Sequence, residues 1–565
     1  MEAELAGQRQ TGVGRIVPGL AALRSYERPW LRDDLMAGLV LAAILVPQGM
    51  AYAELAGLPP VTGLYTTIAC LVGYALVGPS RVLVLGPDSS VSPLIFAAIA
   101  PLVVVSDDPT TAIALAGMLA LLVGIIEIFL GALKLGFVAD LLSKEVQVGY
   151  MNGLAITIIV SQLPKLCGFS TDADNFIDEL RAFADGFDER NATAIAIGLV
   201  TLVILLVLPR VMRTLPAVLV AVVLATVVTA LFDLDVSTVG ALPEGLPRPS
   251  MPWTELGDVG PLLIAAAGIT LVSLTDTIAT SSSFAARRGD EVDPNQEMIG
   301  IGTANVAAGF FQGFAVSTSG SRTAVAEQAG AKTQLTGLVG AASVALLLVL
   351  FPAVLADLPQ PALAAVVIAA ALSLADLDAL VRFWRVRRTS LLLSLVTSAG
   401  VIFFGVLEGI VAAIALSVLL FFQRNWWPHG QLLGRFDDGW HSPRGSDPGV
   451  PPPSGVIVFR WEAPLFFANS GMFRQRLRHL VRERRPRWIV LQCEAITDVD
   501  VTAAEMLERL DLELNAEGIH LAFVQLRSRL HDLLSQYGLL GTLDRDHFFQ
   551  TIDEALAAID ATELE

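Results

Sequence analysis

Gly86-Pro87-Asp88-Ser89-Ser90 and Ser317-Thr318-Ser319-Gly320-Ser321-Arg322 are two breaker-rich openings set among long apolar runs. Each follows a short stretch that reads as extended, Val82-Leu83-Val84-Leu85 in one case and Phe314-Ala315-Val316 in the other. Each leads into a short apolar segment. Paired interruptions at corresponding places in two halves of a membrane chain point to a transport site between inverted repeats. The alternative is two ordinary loops with Ser/Thr helix caps. Each opening is third in a run of seven apolar segments. A repeat with an odd number of spans is inverted in the membrane relative to its copy, so the two helix starts are expected to face each other.

The composition agrees with a lipid-embedded body. The 565 residues are 54% hydrophobic and only 16% charged, against roughly 25% charged in soluble domains. Several runs exceed the ~18–20 apolar residues that cross a bilayer. A wholly soluble enzyme is excluded. The net charge of −18 argues against non-specific affinity for nucleic acid. Cys70, Cys167 and Cys493 are too far apart to suggest a disulfide framework or a thiol metal cage. All six histidines follow residue 424, so the apolar body has no histidine metal site or proton relay. No short apolar stretch with a cleavage site opens the chain, and no removable signal peptide is expected.

Fourteen candidate spans lie between Asp34 and Arg424. The first seven are near 35–56, 60–79, 88–104, 110–133, 146–163, 192–208 and 215–232. The second seven are near 260–283, 295–314, 318–330, 333–356, 361–375, 389–405 and 408–423. Placing the N-terminus inside puts Arg81, Lys134, Lys144, Arg210, Arg213, Arg287, Arg288, Lys332, Arg382, Arg385, Arg387 and Arg388 in inner loops. The outer loops hold Lys165, Arg181, Arg190 and Arg248. This asymmetry satisfies the positive-inside rule and assigns both termini to the cytoplasmic side of the cell membrane. The organisation expected is a segment 1–33, a transport domain 34–424 with repeats at about 35–232 and 260–423, a linker 425–454 and a soluble domain 455–558.

A helix start presents unpaired N–H groups and about half a positive charge. Two such starts plus Arg322 sum to roughly +2 at one point in the bilayer interior. Glycine and small hydroxyl residues let the backbone close on a ligand, so the site reads as anion-binding, with Asp88, Ser89, Ser90, Ser319, Gly320, Ser321 and Arg322 around it. Arg322 either pairs with Glu327 or Asp88 or stands as a fixed charge beside the substrate. The Asp88 side chain is expected to cap its own helix. On the eighth span Ser273, Asp276, Thr277, Thr280 and Ser283 fall on one helical face. An intramembrane carboxylate with a hydroxyl one turn on suits H+ or Na+ coupling, and Asp276 with Thr280 is the pair chosen. Glu54, Glu127 and Glu297 are rival acids. In the first span Pro47 frees a carbonyl, and Gln48 and Tyr52 lie one turn apart, placed to line the cavity.

Val46-Pro47-Gln48-Gly49-Met50-Ala51-Tyr52-Ala53 and Leu55-Ala56-Gly57-Leu58-Pro59-Pro60-Val61-Thr62-Gly63-Leu64-Tyr65 resemble the signature of the sulfate permease family of anion transporters. Gly86–Ser90, Asn295-Gln296-Glu297 and Ser319–Ala324 match in the expected order. The resemblance implies a multi-pass α-helical fold of fourteen spans, built as 7+7 inverted repeats with core and gate domains. It implies an anion held between the third and tenth spans, with Gln48 and Tyr52 nearby. Asp276 and Thr280 match positions that hold sodium in a cyanobacterial bicarbonate transporter of the family. The resemblance also implies a homodimer and requires no cofactor.

The tail resembles a STAS domain, an α/β fold expected in the cytoplasm, where it offers a surface to a regulator. Strands are expected at Val456–Phe459 and Trp488–Gln492 and helices at 471–484, 502–517 and 527–538. Its switch loop, Asp498-Val499-Asp500-Val501-Thr502, departs from the phosphorylated pattern of related regulators at Val501 and Ala503. Thr502 is therefore expected to cap a helix. The arginines between Arg474 and Arg487 read as a solvated face, with lipid headgroups the alternative contact. The function expected is secondary active transport of an inorganic anion, sulfate first, by alternating access with H+ or Na+ coupling. The alternatives are a sodium-coupled bicarbonate transporter, a dicarboxylate or chloride transporter, an anion channel, or a nucleobase–cation symporter.

Overall fold

The computed structural model describes residues 18–19, 26–103, 109–171, 175–212, 216–243, 245–253, 256–426, 428–443, 447, 449–543 and 547–562. The chain divides into two units, Met1–Ser417 and Val418–Glu565. The first unit is helical. Its first half contains α1 (Trp30–Leu55), α2 (Pro60–Val77), strand β1 (Leu85–Gly86), α3 (Ser92–Val103), α4 (Pro109–Ala132), α5 (Lys144–Cys167), α6 (Phe176–Asp185), α7 (Ala192–Val211) and α8 (Ala217–Leu231). Its second half contains α9 (Leu256–Arg288), α10 (Pro294–Phe310), strand β2 (Ser317–Thr318), α11 (Gly320–Gln328), α12 (Leu335–Leu350), α13 (Pro352–Ala356), α14 (Gln360–Leu374), α15 (Leu377–Val386) and α16 (Arg388–Phe404). Helix α17 (Val406–Trp426) runs across the division between the units. Each of the fourteen expected spans overlaps one of these helices.

Among the described residues, seven helices are long and apolar enough to cross a membrane. The two that follow the breaker openings are not. Helix α3 has 12 residues and α11 has nine, rises of about 18 and 14 Å against a hydrocarbon core of ~30 Å. Large apolar side chains such as Val200, Val203, Val223 and Val227 are exposed on α7 and α8, as a lipid-facing surface requires.

Glycine sets the closest helix packing. Gly117 and Gly124 on α4 face Gly309 and Gly302 on α10, and a Cβ at Gly124 would come within 2.6 Å of the Gly302 carbonyl. These residues repeat at seven-residue spacing, so the two helices run antiparallel with their backbones nearly touching. Small residues are the usual means of close approach where lipid removes the hydrophobic drive between helices. Gly49 and Gly63 do the same for α1 and α2.

The second unit carries a five-stranded sheet in the order β3 (Gly430–Leu432), β6 (Val456–Trp461), β7 (Trp488–Gln492), β8 (His520–Val524), β9 (Phe548–Phe549). Strand β3 is antiparallel and the other pairings are parallel. Strands β4 (Gly434–Phe436) and β5 (Gly439–His441) form a separate hairpin. Helices α18 (Ser470–Arg484), α19 (Val501–Ala516), α20 (Ser528–Gln536) and α21 (Leu539–Thr542) contribute to one core, and α22 (Ile552–Thr562) to the other. The sheet thus recruits Gly430–Leu432 from the stretch expected to be linker, because an edge strand of three residues carries too little alternation to read from sequence. Thr502 is not the cap. Asp500 is, accepting from the Ala503 N–H at 2.8 Å, and Thr502 is exposed within the first turn. Arg474 pairs with Glu513 on α19 and Arg478 with Glu517, the residue just after that helix, so that part of the arginine run is a salt-bridged helix face.

Candidate functional site

The two extended stretches meet as an antiparallel pair, Leu85 opposite Thr318 and Gly86 opposite Ser317. This pairing brings the starts of α3 and α11 together. The α11 start is stitched to β1 through Val84, whose carbonyl accepts from the Ser319 N–H at 3.2 Å and whose N–H donates to Thr323 Oγ1 at 3.1 Å. Ser319 caps α11 by accepting from the Arg322 N–H. Its hydroxyl lies 3.0 Å from that of Ser321. A Cβ at Gly320 would meet nothing within 4 Å, so the backbone there faces open space.

The other start is built differently. Asp88 Oδ1 accepts from the Ser90 N–H at 3.0 Å and the Ser90 hydroxyl at 2.8 Å. The Asp88 carbonyl accepts from the Ser92 N–H at 3.0 Å. Its cap role is as expected from the residue type. Asp88 Oδ2 lies 3.5 Å from Arg322 Nη2, and Arg322 Nη1 donates to the Pro87 carbonyl. Arg322 is 1% exposed. Glu327, the other expected partner, instead pairs with Arg288 at 3.1 Å and Arg287 at 3.9 Å. The expected charge of roughly +2 is corrected accordingly: with Asp88 ionised beside Arg322, two helix starts leave about +1.

A cavity of about 1130 Å³ opens at this junction. Gln48, Tyr52, Asp88, Ser89, Asp276, Thr280, Ser319, Gly320, Ser321 and Arg322 all line it. Ser90 stands behind the wall, buried against Asp88. The stripe Ile44, Gln48, Tyr52 is presented by α1 at helical spacing, and the Tyr52 hydroxyl neighbours Ser89. The Asp276 carboxylate neighbours Ser90 and Gln147, with Lys144 and Asp88 as nearby charges. The expected hydroxyl face of α9 splits. Asp276 and Thr280 reach the cavity, Ser273 donates to the Val316 carbonyl at 3.2 Å, Thr277 is buried and Ser283 is exposed.

Buried polar atoms without a hydrogen-bond partner converge here: Arg322 Nε and Nη2, Gln48 Oε1 and Thr318 Oγ1. Leaving such groups unpaired costs about 1–3 kcal/mol each, so the wall is built for a polar ligand. Two donors of a guanidinium and an open helix start suit an oxyanion or halide. Lys144, Gln147 and Asp376 also line the cavity and were not picked out as site residues from the sequence. Lys144 and Gln147 are first-turn residues of α5, and Asp376 caps α15 while its own N–H donates to Asn152. Nothing within their own segments marks them, since each is one polar residue at a span end. Among the described residues no group of three or more His, Cys, Asp or Glu could hold a metal ion.

Residues 31–397 match the sulfate permease family, and residues 448–555 match the STAS domain. The chain belongs to the sulfate permease family. It is 40% identical over 548 residues to a "Probable sulfate transporter" of Mycobacterium tuberculosis, covering 96% of this chain and 97% of that one. It is 30% identical to "Sulfate transporter 4.1, chloroplastic" of Arabidopsis thaliana, covering 96% and 82%. The fold is that of the solved SLC26A9 structure, with a TM-score of 0.88 at 23% identity over 97% of this chain and 93% of that one. The transmembrane domain of a cyanobacterium bicarbonate transporter, BicA, aligns with a TM-score of 0.61 at 24% identity over 70% of this chain and 98% of that domain. This member of the family is an integral membrane anion transporter and not an enzyme.

Proposed function

We propose that this protein moves sulfate across the membrane by alternating access, coupled to a cation at Asp276 and Thr280. The observation that carries the reading is Arg322, buried at the meeting of two helix starts and lining a polar cavity. Among the described residues its Nε lacks a hydrogen-bond partner and its Nη2 is held only in the 3.5 Å ion pair to Asp88. The fourteen helices then work as two inverted repeats of seven. The third element of each repeat supplies one half of the anion site, which the antiparallel β1–β2 pair supports. The cavity takes in the first turn of α5, while the other end of that helix is tied to α1 by Lys165 and Glu54 at 3.7 Å. By the positive-inside rule the open end is cytoplasmic, so this is an inward-facing arrangement.

A dianion entering a site of about +1 is short of one positive charge. Lys144 and Asp276 also line the cavity and their charges offset each other, so a proton or Na+ that neutralises Asp276 supplies it. That same charge count supports a second reading, in which a monovalent anion such as bicarbonate or chloride balances the site alone. Uptake into proteoliposomes separates them. Sulfate should enter only when a proton or sodium gradient is imposed, and unlabelled bicarbonate or chloride should compete weakly. No sulfate entry under either gradient, with bicarbonate or chloride entering readily, replaces sulfate by the monovalent ion.

A further inference from the structure

Glu127 on α4 is fully buried, and among the described residues its Oε1 has no hydrogen-bond partner. Its Oε2 accepts from Asn305 Nδ2 at 2.8 Å. The Asn305 side-chain oxygen Oδ1 accepts from the Val316 N–H at 2.8 Å. The Val316 carbonyl accepts from the Ser273 hydroxyl at 3.2 Å, and Ser273 is itself a neighbour of the Glu127 carboxylate. Glu127 and Asn305 thus hold the Val316 N–H, and Ser273 holds its carbonyl, so both backbone groups of Val316 are fixed. Val316 immediately precedes β2 and lies three residues before the α11 cap Ser319. Ser273 lies three residues before Asp276 on α9, so this chain of hydrogen bonds joins the anion-binding helix start to the coupling helix.

We propose that Glu127 is a positioning residue for the anion site, acting through Asn305 on the Val316 backbone, and is not a coupling acid. The proposal rests on the anion site described above. The carboxylate touches no part of the cavity; its work is as a hydrogen-bond acceptor that fixes the Asn305 amide. Fixing that amide sets the approach of β2, and β2 sets where the α11 start and Arg322 stand. The contact between Gly124 and Gly302 brings α4 and α10 close enough for Glu127 to reach Asn305.

Glu127→Gln keeps an oxygen acceptor, whereas Glu127→Leu and Asn305→Leu remove the contact. Initial rates are measured with full-length protein in proteoliposomes, using whichever of sulfate, bicarbonate or chloride the wild type takes up. Loss of the sulfate reading therefore leaves the comparison intact. Glu127→Gln is expected to keep the wild-type KM and pH profile. Either Leu variant is expected to raise KM about tenfold with a smaller change in maximal rate. The double Leu variant should be no worse than one alone, since both break the same chain. Ser273→Ala, a milder change, should raise KM about threefold and serves if the Leu variants do not fold. Loss of gradient-driven uptake in Glu127→Gln would overturn the proposal in favour of a coupling acid. An unchanged KM in Glu127→Leu, or in Ser273→Ala where the Leu variants fail to fold, would overturn it altogether.

Discussion

The two short helices that meet at the β1–β2 pair occupy matching places in their halves of the chain, yet they are charged in opposite senses. The α3 start carries a carboxylate, Asp88, spent partly on its own Ser90 N–H and partly on the facing guanidinium. The α11 start is capped by the neutral Ser319, leaves Gly320 open and contributes Arg322. In the proposed anion site one half thus supplies attraction and the other moderates it. A transporter must release what it binds, and an unmoderated charge deep in a low-dielectric interior would hold an anion too tightly. The lesson is that the two halves share a backbone plan while dividing the electrostatics between them.

That division is open to direct test. Arg322→Ala removes the attractive half and strands Asp88, and breaking a buried ion pair costs about 3–5 kcal/mol. Anion uptake should fall by at least about a hundredfold, with a lower melting temperature in detergent. Asp276→Asn leaves both helix starts intact. Gradient-driven uptake should drop about tenfold while anion affinity, followed by isothermal titration, stays within about threefold. Wild-type uptake across pH and sodium would remove Asp276 from the coupling. Asp88→Asn retains a capping side chain but deletes the moderating charge. Affinity should rise about fivefold with a slower maximal rate, seen as opposite movements of KM and turnover; a weaker affinity would show that Asp88 supports the site and does not temper it. Ser319→Ala is the smallest change. Loss of a serine cap costs about 1 kcal/mol, so KM should rise a few fold at unchanged turnover.

Much of this was legible in the residues. Breakers at Gly86-Pro87 and Ser319-Gly320 announce interrupted helices, because proline removes a backbone donor, glycine lowers helix propensity and serine favours a cap. Gln48 and Tyr52 could be placed on one face of α1 because 3.6 residues make a turn. The same rule put Asp276 and Thr280 together. The partner of Arg322 was left open between Glu327, five residues along its own segment, and Asp88 in the other half. Local spacing favours neither, and Glu327 is taken by Arg287 and Arg288. Lys144, Gln147 and Asp376 gave no local signal either, since a polar residue at a span end is ordinary.

By itself the sequence determined the lipid-solvated body, the succession of helices, the two interrupted segments and the arginine, Arg322, at the second of them. These follow from apolar run length, backbone hydrogen-bonding needs and helical period, all properties of contiguous residues. Only the tertiary structure decided that Asp88 spends its charge on Arg322, that Glu127 reaches Val316 through Asn305, and which span ends line the cavity. Arg322 and Pro87 are separated by 235 positions, and Glu127 and Asn305 by 178. Contacts at such distances are set by how glycine-lined helices pack, which no local pattern encodes.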